Sequence, residues 1–224
     1  MVSLSLIVKF FLLAFSALLP VINPLGSALI LLGVAGNAPG PVFRKLARKI
    51  AIRTTLFLVV VELVGTVLLQ FFGISLPVVQ VAGGLVLATM GWTLLQQAEP
   101  ETSPDQAQVH EVSFESLQEK IFYPLTFPLT AGPGCIVVML TLSAQASTPR
   151  ILDEVMTHLG IFLAVVILSL IVFVSYGYAP KITEHISPQT AHGMLRVISF
   201  VLLCIGVQIT WNGVSALLKT LLRA

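Results

Sequence analysis

With 224 residues, 56% of them hydrophobic and only 10% charged, the chain lacks the roughly 25% charged residues of an ordinary soluble domain. A mean hydropathy of +0.98 points to lipid as its solvent, and a net charge of +2 excludes a nucleic-acid partner. Two cysteines, Cys135 and Cys204, both in apolar stretches, make no disulfide framework and read as reduced core residues.

The expected architecture is an all-α integral membrane protein of six transmembrane helices, arranged as a 3+3 inverted repeat. Helix 1 is predicted from about Ser3 to Gly36, interrupted at Leu19-Pro20-Val21-Ile22-Asn23-Pro24-Leu25-Gly26. Lys9 inside the apolar run, and the continuation of that run past the break, argue against a cleaved leader. Helix 2 is predicted from about Ala51 to Phe72 and helix 3 from about Pro77 to Gln97. A polar stretch from Gln97 to Lys120 follows, with six acids and with Pro100 and Pro104, and reads as a linker between halves. Helix 4 is predicted from about Ile121 to Ala146, interrupted at Tyr123-Pro124-Leu125-Thr126-Phe127-Pro128-Leu129 and on through Thr130-Ala131-Gly132-Pro133-Gly134. Helices 5 and 6 are predicted over about Val155 to Tyr178 and Met194 to Leu222. The domain reading is thus a first three-helix repeat over 1–97, an acidic cytoplasmic linker over 98–119 and a second repeat over 120–224.

Orientation follows from cations. The loop between helices 1 and 2, with the start of helix 2, carries Arg44, Lys45, Arg48, Lys49 and Arg53 and no acid, which places it in the cytoplasm. Both termini are then expected in the periplasm of a bacterial inner membrane.

Both breaks contain Pro-x-x-x-Pro-Leu, 104 residues apart. Backbone groups freed inside a bilayer find no water, and paired interruptions at matching places in two halves point to a transporter binding site. The third helices match as well: Val81–Gly91 resembles Arg196–Gly206. Asn23 before Pro24 is an N-cap followed by a proline at the first helical position, and Gly132 before Pro133 repeats the pattern, with Thr130 near enough to cap. Two helix N-termini meeting in a dry cavity suit a carboxylate, and Gly26, Gly132 and Gly134 would let it approach the backbone. No arginine or lysine lies near the breaks, which favours recognition by backbone. Ser27, Thr130 and Cys135 would line a small pocket. The competing reading is a pair of proline-kinked structural helices.

Glu62 stands alone among Leu56–Gly65 as an acid near the expected bilayer centre, a candidate proton carrier or a protonated structural acid. Gln80, Gln208 and Asn212 are expected to bond helices together, and Gly83-Gly84 to allow close packing. The histidines at 110, 158, 185 and 192 fall in predicted loops or at helix ends, so neither a metal site nor a cofactor is expected. With no nucleophile–base pair at membrane depth, an enzyme is not expected.

Asn23-Pro24-Leu25-Gly26, Phe72-Gly73-Ile74-Ser75 followed by Val81-Ala82-Gly83-Gly84, Pro128–Gly134, Arg196 and Gly206-Val207-Gln208 together resemble the MarC family of inner-membrane proteins. The resemblance spans essentially the whole chain. It implies six spans, kinship with the lysine-exporter superfamily, and transport of small neutral amino acids driven by an ion gradient. The expected function is therefore secondary transport of such a zwitterion, its carboxylate on the helix starts at Asn23/Pro24 and Gly132/Pro133, within a substrate site of Asn23, Pro24, Gly26, Ser27, Thr130, Gly132, Pro133, Gly134 and Cys135. The expected partners are that amino acid and membrane lipid, with homo-oligomerisation left open. The alternative is a non-transporting multi-pass protein with a structural or regulatory role.

Overall fold

The computed structural model describes residues 2–36, 38–96, 114–185 and 188–222. Among these residues the secondary structure is entirely helical: α1 (Val2–Ile22), α2 (Pro24–Ala35), α3 (Gly40–Phe71), α4 (Leu76–Gln96), α5 (Phe114–Glu119), α6 (Pro133–Ala146), α7 (Ile151–Gly177), α8 (Ala179–His185) and α9 (Pro188–Leu221). Between α5 and α6 lies a segment of wide turns, Ile121–Thr130. Five stretches are long and apolar enough to cross a membrane: Leu4–Ala35, Gly40–Phe71, Leu76–Gln96, Ile151–Gly177 and Gly193–Leu221. The wide-turn segment and α6, bent by 64° where they join, bring the number to six if they count as one span.

Side-chain burial follows helix order. α7 lies at the centre, packed by α1 on one side and α3 on another, with Ile161, Ala164, Val165, Leu168, Val172 and Tyr176 fully buried. α6 fills the space between α3, α4 and α1, while α4 and α9 pair along their lengths. Outward faces carry Leu63, Val67, Phe71, Leu85, Trp92, Val197, Phe200, Val207 and Trp211, all exposed. A soluble protein would bury most of these, and a bilayer solvates them instead.

Three expectations change. Helix 2 begins at Gly40, about eleven residues earlier than the hydropathy pattern suggests, with a proline in its first turn. Arg44, Lys45, Arg48, Lys49 and Arg53 therefore stand on the first four turns of α3 rather than in a loop, and the apolar part of this helix starts beyond them. The last residues of the acidic stretch are helical: Phe114–Glu119 form α5, and Leu117 is fully buried in the core, while residues 97–113 lie outside the described residues. Helix 5 starts at Ile151, with Asp153 and Glu154 in its first turn, where acids offset the helix dipole.

The two interruptions differ in kind. In the first, a single residue separates α1 from α2: Asn23 adopts φ 45°, ψ 64°, the left-handed region that asparagine tolerates better than most residues. Pro24 then opens α2. In the second, Tyr123-Pro124-Leu125-Thr126 and Phe127-Pro128-Leu129-Thr130 form two successive wide turns, with extended backbone at Tyr123 and Phe127 and cis bonds before both prolines. Hydrogen bonds span five residues, from Leu125 N to Lys120 O (3.1 Å) and from Ala131 N to Thr126 O (2.8 Å). Each threonine also donates five residues back, Thr126 to Ile121 O and Thr130 to Leu125 O, both at 2.7 Å. Backbone groups that two prolines would leave stranded in lipid are satisfied by these side chains. The shared Pro-x-x-x-Pro-Leu motif is thus not placed equivalently. Its second proline opens α2 in the first half, whereas Pro128 lies before the break and Pro133 opens α6.

Candidate functional site

The two breaks meet. The Ser27 hydroxyl, one turn into α2, donates to Ile22 O (3.2 Å) and to Leu129 O (3.4 Å), so it ties α2 both to the end of α1 and to the wide-turn segment. Thr130 is fully buried and shares a hydrogen bond of 2.8 Å with the Tyr176 hydroxyl, near the end of α7. The Cys135 thiol, in the first turn of α6, points at Thr130 O from 3.9 Å. Ser27, Thr130, Cys135 and Tyr176 thus form one buried polar cluster inside an apolar core. Three of the four are expected from sequence. Tyr176 is not, because it comes from a helix 46 residues further along the chain.

The helix starts are partly occupied by the protein's own atoms. The Asn23 side-chain oxygen accepts from Gly26 N at 3.1 Å, the bond an N-cap makes. Gly132 precedes α6 with no side-chain cap, and the expected cap from Thr130 is not made, since its hydroxyl is committed to Leu125 O and Tyr176. A β-carbon at Gly26 would run into the Asn23 side chain and Leu195, and one at Gly134 into Leu87 and Val21. At Gly132 it would sit 2.8 Å from Pro128 O. These glycines therefore have a packing reason to lack side chains in this conformation, alongside any approach of a ligand.

Glu62 is not alone. Its carboxylate meets the His158 ring, Oε1 to Nδ1, at 2.5 Å, and its side chain is 4% exposed against 26% for His158. Ser143 of α6 donates to Glu62 O at 2.8 Å, fixing the helix beneath the pair. The expectation that His158 lies in a loop or at a helix end is corrected: it sits two turns inside α7, because that helix begins at Ile151. The first-turn acids Asp153 and Glu154 are the sequence signal that marks this start.

Gln80 Nε2 reaches Thr141 Oγ1 at 3.4 Å and joins α4 to α6, as expected, whereas the expected link between helices from Gln208 and Asn212 is a bond within α9, Gln208 Nε2 to Asn212 Oδ1 at 2.9 Å. Among the described residues no group of three histidine, cysteine or acidic side chains could hold a metal ion.

Residues 8–218 match the family described as MarC family integral membrane protein. The inner membrane protein MarC of Salmonella arizonae is 32% identical over 211 residues, covering 91% of this chain and 93% of the relative. The protein of that name from Citrobacter koseri is 31% identical over 209 residues, and that from Escherichia coli O157:H7 is 27% identical over 205, with the same coverage. No solved structure matches the chain. Its apolar helices and its relatives agree: this is a multi-pass inner-membrane protein, and the chain belongs to the MarC family.

Proposed function

We propose that the chain is a secondary transporter of small neutral amino acids whose substrate carboxylate binds where α2 and α6 begin. The observation that carries this reading is the convergence of both breaks on one buried cluster, Ser27, Thr130, Cys135 and Tyr176. Hydroxyls buried in an apolar bundle need partners, and here Ser27, Thr130 and Tyr176 bond backbone carbonyls and one another around two helix starts that open with Pro24 and Pro133. Asn23 Oδ1 on Gly26 N stands where one carboxylate oxygen would sit, so the substrate would exchange with a side chain rather than enter a vacant pocket. The cluster is closed, which fits an occluded state of an alternating-access cycle.

The inverted-repeat part of the reading has support along α4 and α9. Adding 115 to an α4 number gives its partner in the Val81–Gly91 and Arg196–Gly206 match: Gly84 to Ser199, Ala88 to Leu203, Gly91 to Gly206. The close contacts obey the same exchange. Gly206 approaches Ala88 and Gly84 just as Gly91 approaches Leu203 and Ser199. That pairing requires α4 and α9 to run antiparallel, as a two-fold axis in the membrane plane would set them.

A second reading, a non-transporting membrane protein with a structural role, is favoured by the filled space beside Gly26 and Gly134. A thermal-unfolding screen of the purified protein against amino acids separates the two, since a ligand bound only by the folded state raises the melting temperature. Glycine, alanine or serine should raise it and alaninamide, lacking the carboxylate, should not. No shift with any amino acid, together with no alanine exchange in liposomes, would leave the structural reading.

A further inference from the structure

We propose that Glu62 and His158 are one proton-binding site, and that it couples a proton gradient to the movement of α7 at the breaks; the coupling half of this inference rests on the transport reading above. The geometry is a carboxylate from α3 against an imidazole from α7, 96 residues apart in sequence. Both lie inside helices that cross the membrane, and His158 is the more exposed partner. It lies seven residues, about 10 Å, from the start of α7, so a proton entering from that end reaches His158 before the buried carboxylate.

Charge counting gives the pair its function. A carboxylate and a neutral imidazole carry one negative charge together, one added proton makes them neutral, and a second makes them positive. A net charge is costly in lipid, so the pair holds one shared proton while closed. Losing that proton requires access to water, which is the condition a coupled transporter imposes on its driving ion. A lysine or arginine in place of His158 would make a permanent ion pair, whereas an imidazole can both take up and release the shared proton. Other charges are few. On α7, Asp153 and Glu154 precede His158, with Glu154 one turn away and Arg150 at the helix start. On α1, Lys9 lies with its amine over the Phe10 ring, 5.8 Å from its centroid. The nearest charge on α3 is Arg53, nine residues before Glu62, and α6, which places Ser143 against the Glu62 backbone, carries no charged residue.

The pair is linked to the breaks by α7 itself. His158 and Tyr176 are 18 residues apart, about five turns, so they share one face of the helix. Two buried hydroxyls without a protein partner, Thr54 Oγ1 of α3 and Ser169 Oγ of α7, lie between those levels. A rigid helix held by Glu62 at one level and by Thr130 at another moves both contacts together when either is released.

The test uses the full chain in liposomes with radiolabelled alanine and an imposed pH gradient, alongside infrared difference spectra between acidic and alkaline buffer. Wild type should accumulate alanine against its gradient and show a carboxyl band on changing pH. Glu62→Gln should lose the accumulation and the band, any remaining alanine exchange being indifferent to the pH gradient. His158→Gln should lose the accumulation and displace the band. Glu154→Gln, one turn away, should keep both. If a single variant does not insert, Glu62→Gln/His158→Gln, which keeps an uncharged amide pair, is read in the same way. A wild-type carboxyl band that survives Glu62→Gln overturns the proton site even if alanine is transported. Accumulation that follows sodium and ignores pH overturns the coupling. Failure of wild type to exchange alanine, with the Glu62 band present, overturns transport and coupling and leaves the proton site standing.

Discussion

Asn23 and Thr130 show how single side chains make a broken membrane helix tolerable. Asn23 must adopt a left-handed backbone and also supply the acceptor for Gly26 N. Asn23→Ala loses the cap, about 1 kcal/mol, and puts an ordinary residue in a conformation that disfavours it by roughly 1–2 kcal/mol. Asn23→Gly keeps the conformation, so its melting temperature should fall less than that of the alanine variant. The reverse order would mean the backbone at 23 relaxes. Thr130 is bonded twice, and Thr130→Val would leave Leu125 O and the Tyr176 hydroxyl buried without that partner, at roughly 1–3 kcal/mol for each group. Thr130→Ser keeps both bonds and should unfold much closer to wild type. The Asn-Pro-Leu-Gly break was legible in the sequence because its chemistry is local: cap, proline and glycine lie within four residues. Tyr176 and His158 were not, because each acquires its meaning from a partner 46 or 96 residues away. For His158 the apolar periodicity also hid the true start of its helix, which the charged first turn pushed outside the hydropathy window.

At the scale of elements, the seam between α4 and α9 is built on backbone approach. A β-carbon on Gly91 would stand 2.6 Å from Leu203 N and 2.8 Å from Ser199 O, atoms that cannot swing aside. Gly91→Ala should therefore prise the two helices apart, at about 1–3 kcal/mol, and lower the melting temperature in detergent. Gly33→Ala, within α2, meets nothing within 4 Å and should be neutral or stabilise by roughly 0.4–1 kcal/mol. Equal unfolding temperatures for the two variants would show that the seam is looser than these contacts require. The role of Gly83-Gly84 in packing was readable from small residues in an apolar helix. What α4 packs against was not, since composition fixes a small-residue face but not its partner. The tandem aromatic-Pro-Leu-Thr repeat was visible in letters as Tyr-Pro-Leu-Thr-Phe-Pro-Leu-Thr, but reading it as a kinked helix missed the hydroxyl bonds that turn it into two wide loops.

For the whole molecule, the decisive question is whether the wide-turn segment and α6 cross the membrane or return to the side they entered. The 64° bend between them is compatible with either path, and the path determines topology. If the pair crosses, there are six spans and the termini share one side. If it re-enters, there are five and the termini part. The cations favour a definite answer for the first half. By the positive-inside rule Arg44, Lys45, Arg48, Lys49 and Arg53 at the head of α3 are expected in the cytoplasm, which would put the start of α1 on the periplasmic side. The second half offers less. Lys120 stands before the wide turns and Lys181 on α8, against Arg150 at the start of α7 and Lys219 at the end of α9. In the six-span arrangement two of these four cations would lie on each side of the membrane, so they do not decide the path. A periplasm-active reporter fused before Met1 tests the first assignment, and one fused after Ala224 tests the count. Activity of both gives six spans with both termini outside, the outcome expected here. Activity at the N-terminus alone would make the second break a re-entrant loop. That outcome would set α9 parallel to α4, against the antiparallel run of their contacts, in which Gly206 lies beside Ala88 and Gly84 while Gly91 lies beside Leu203 and Ser199.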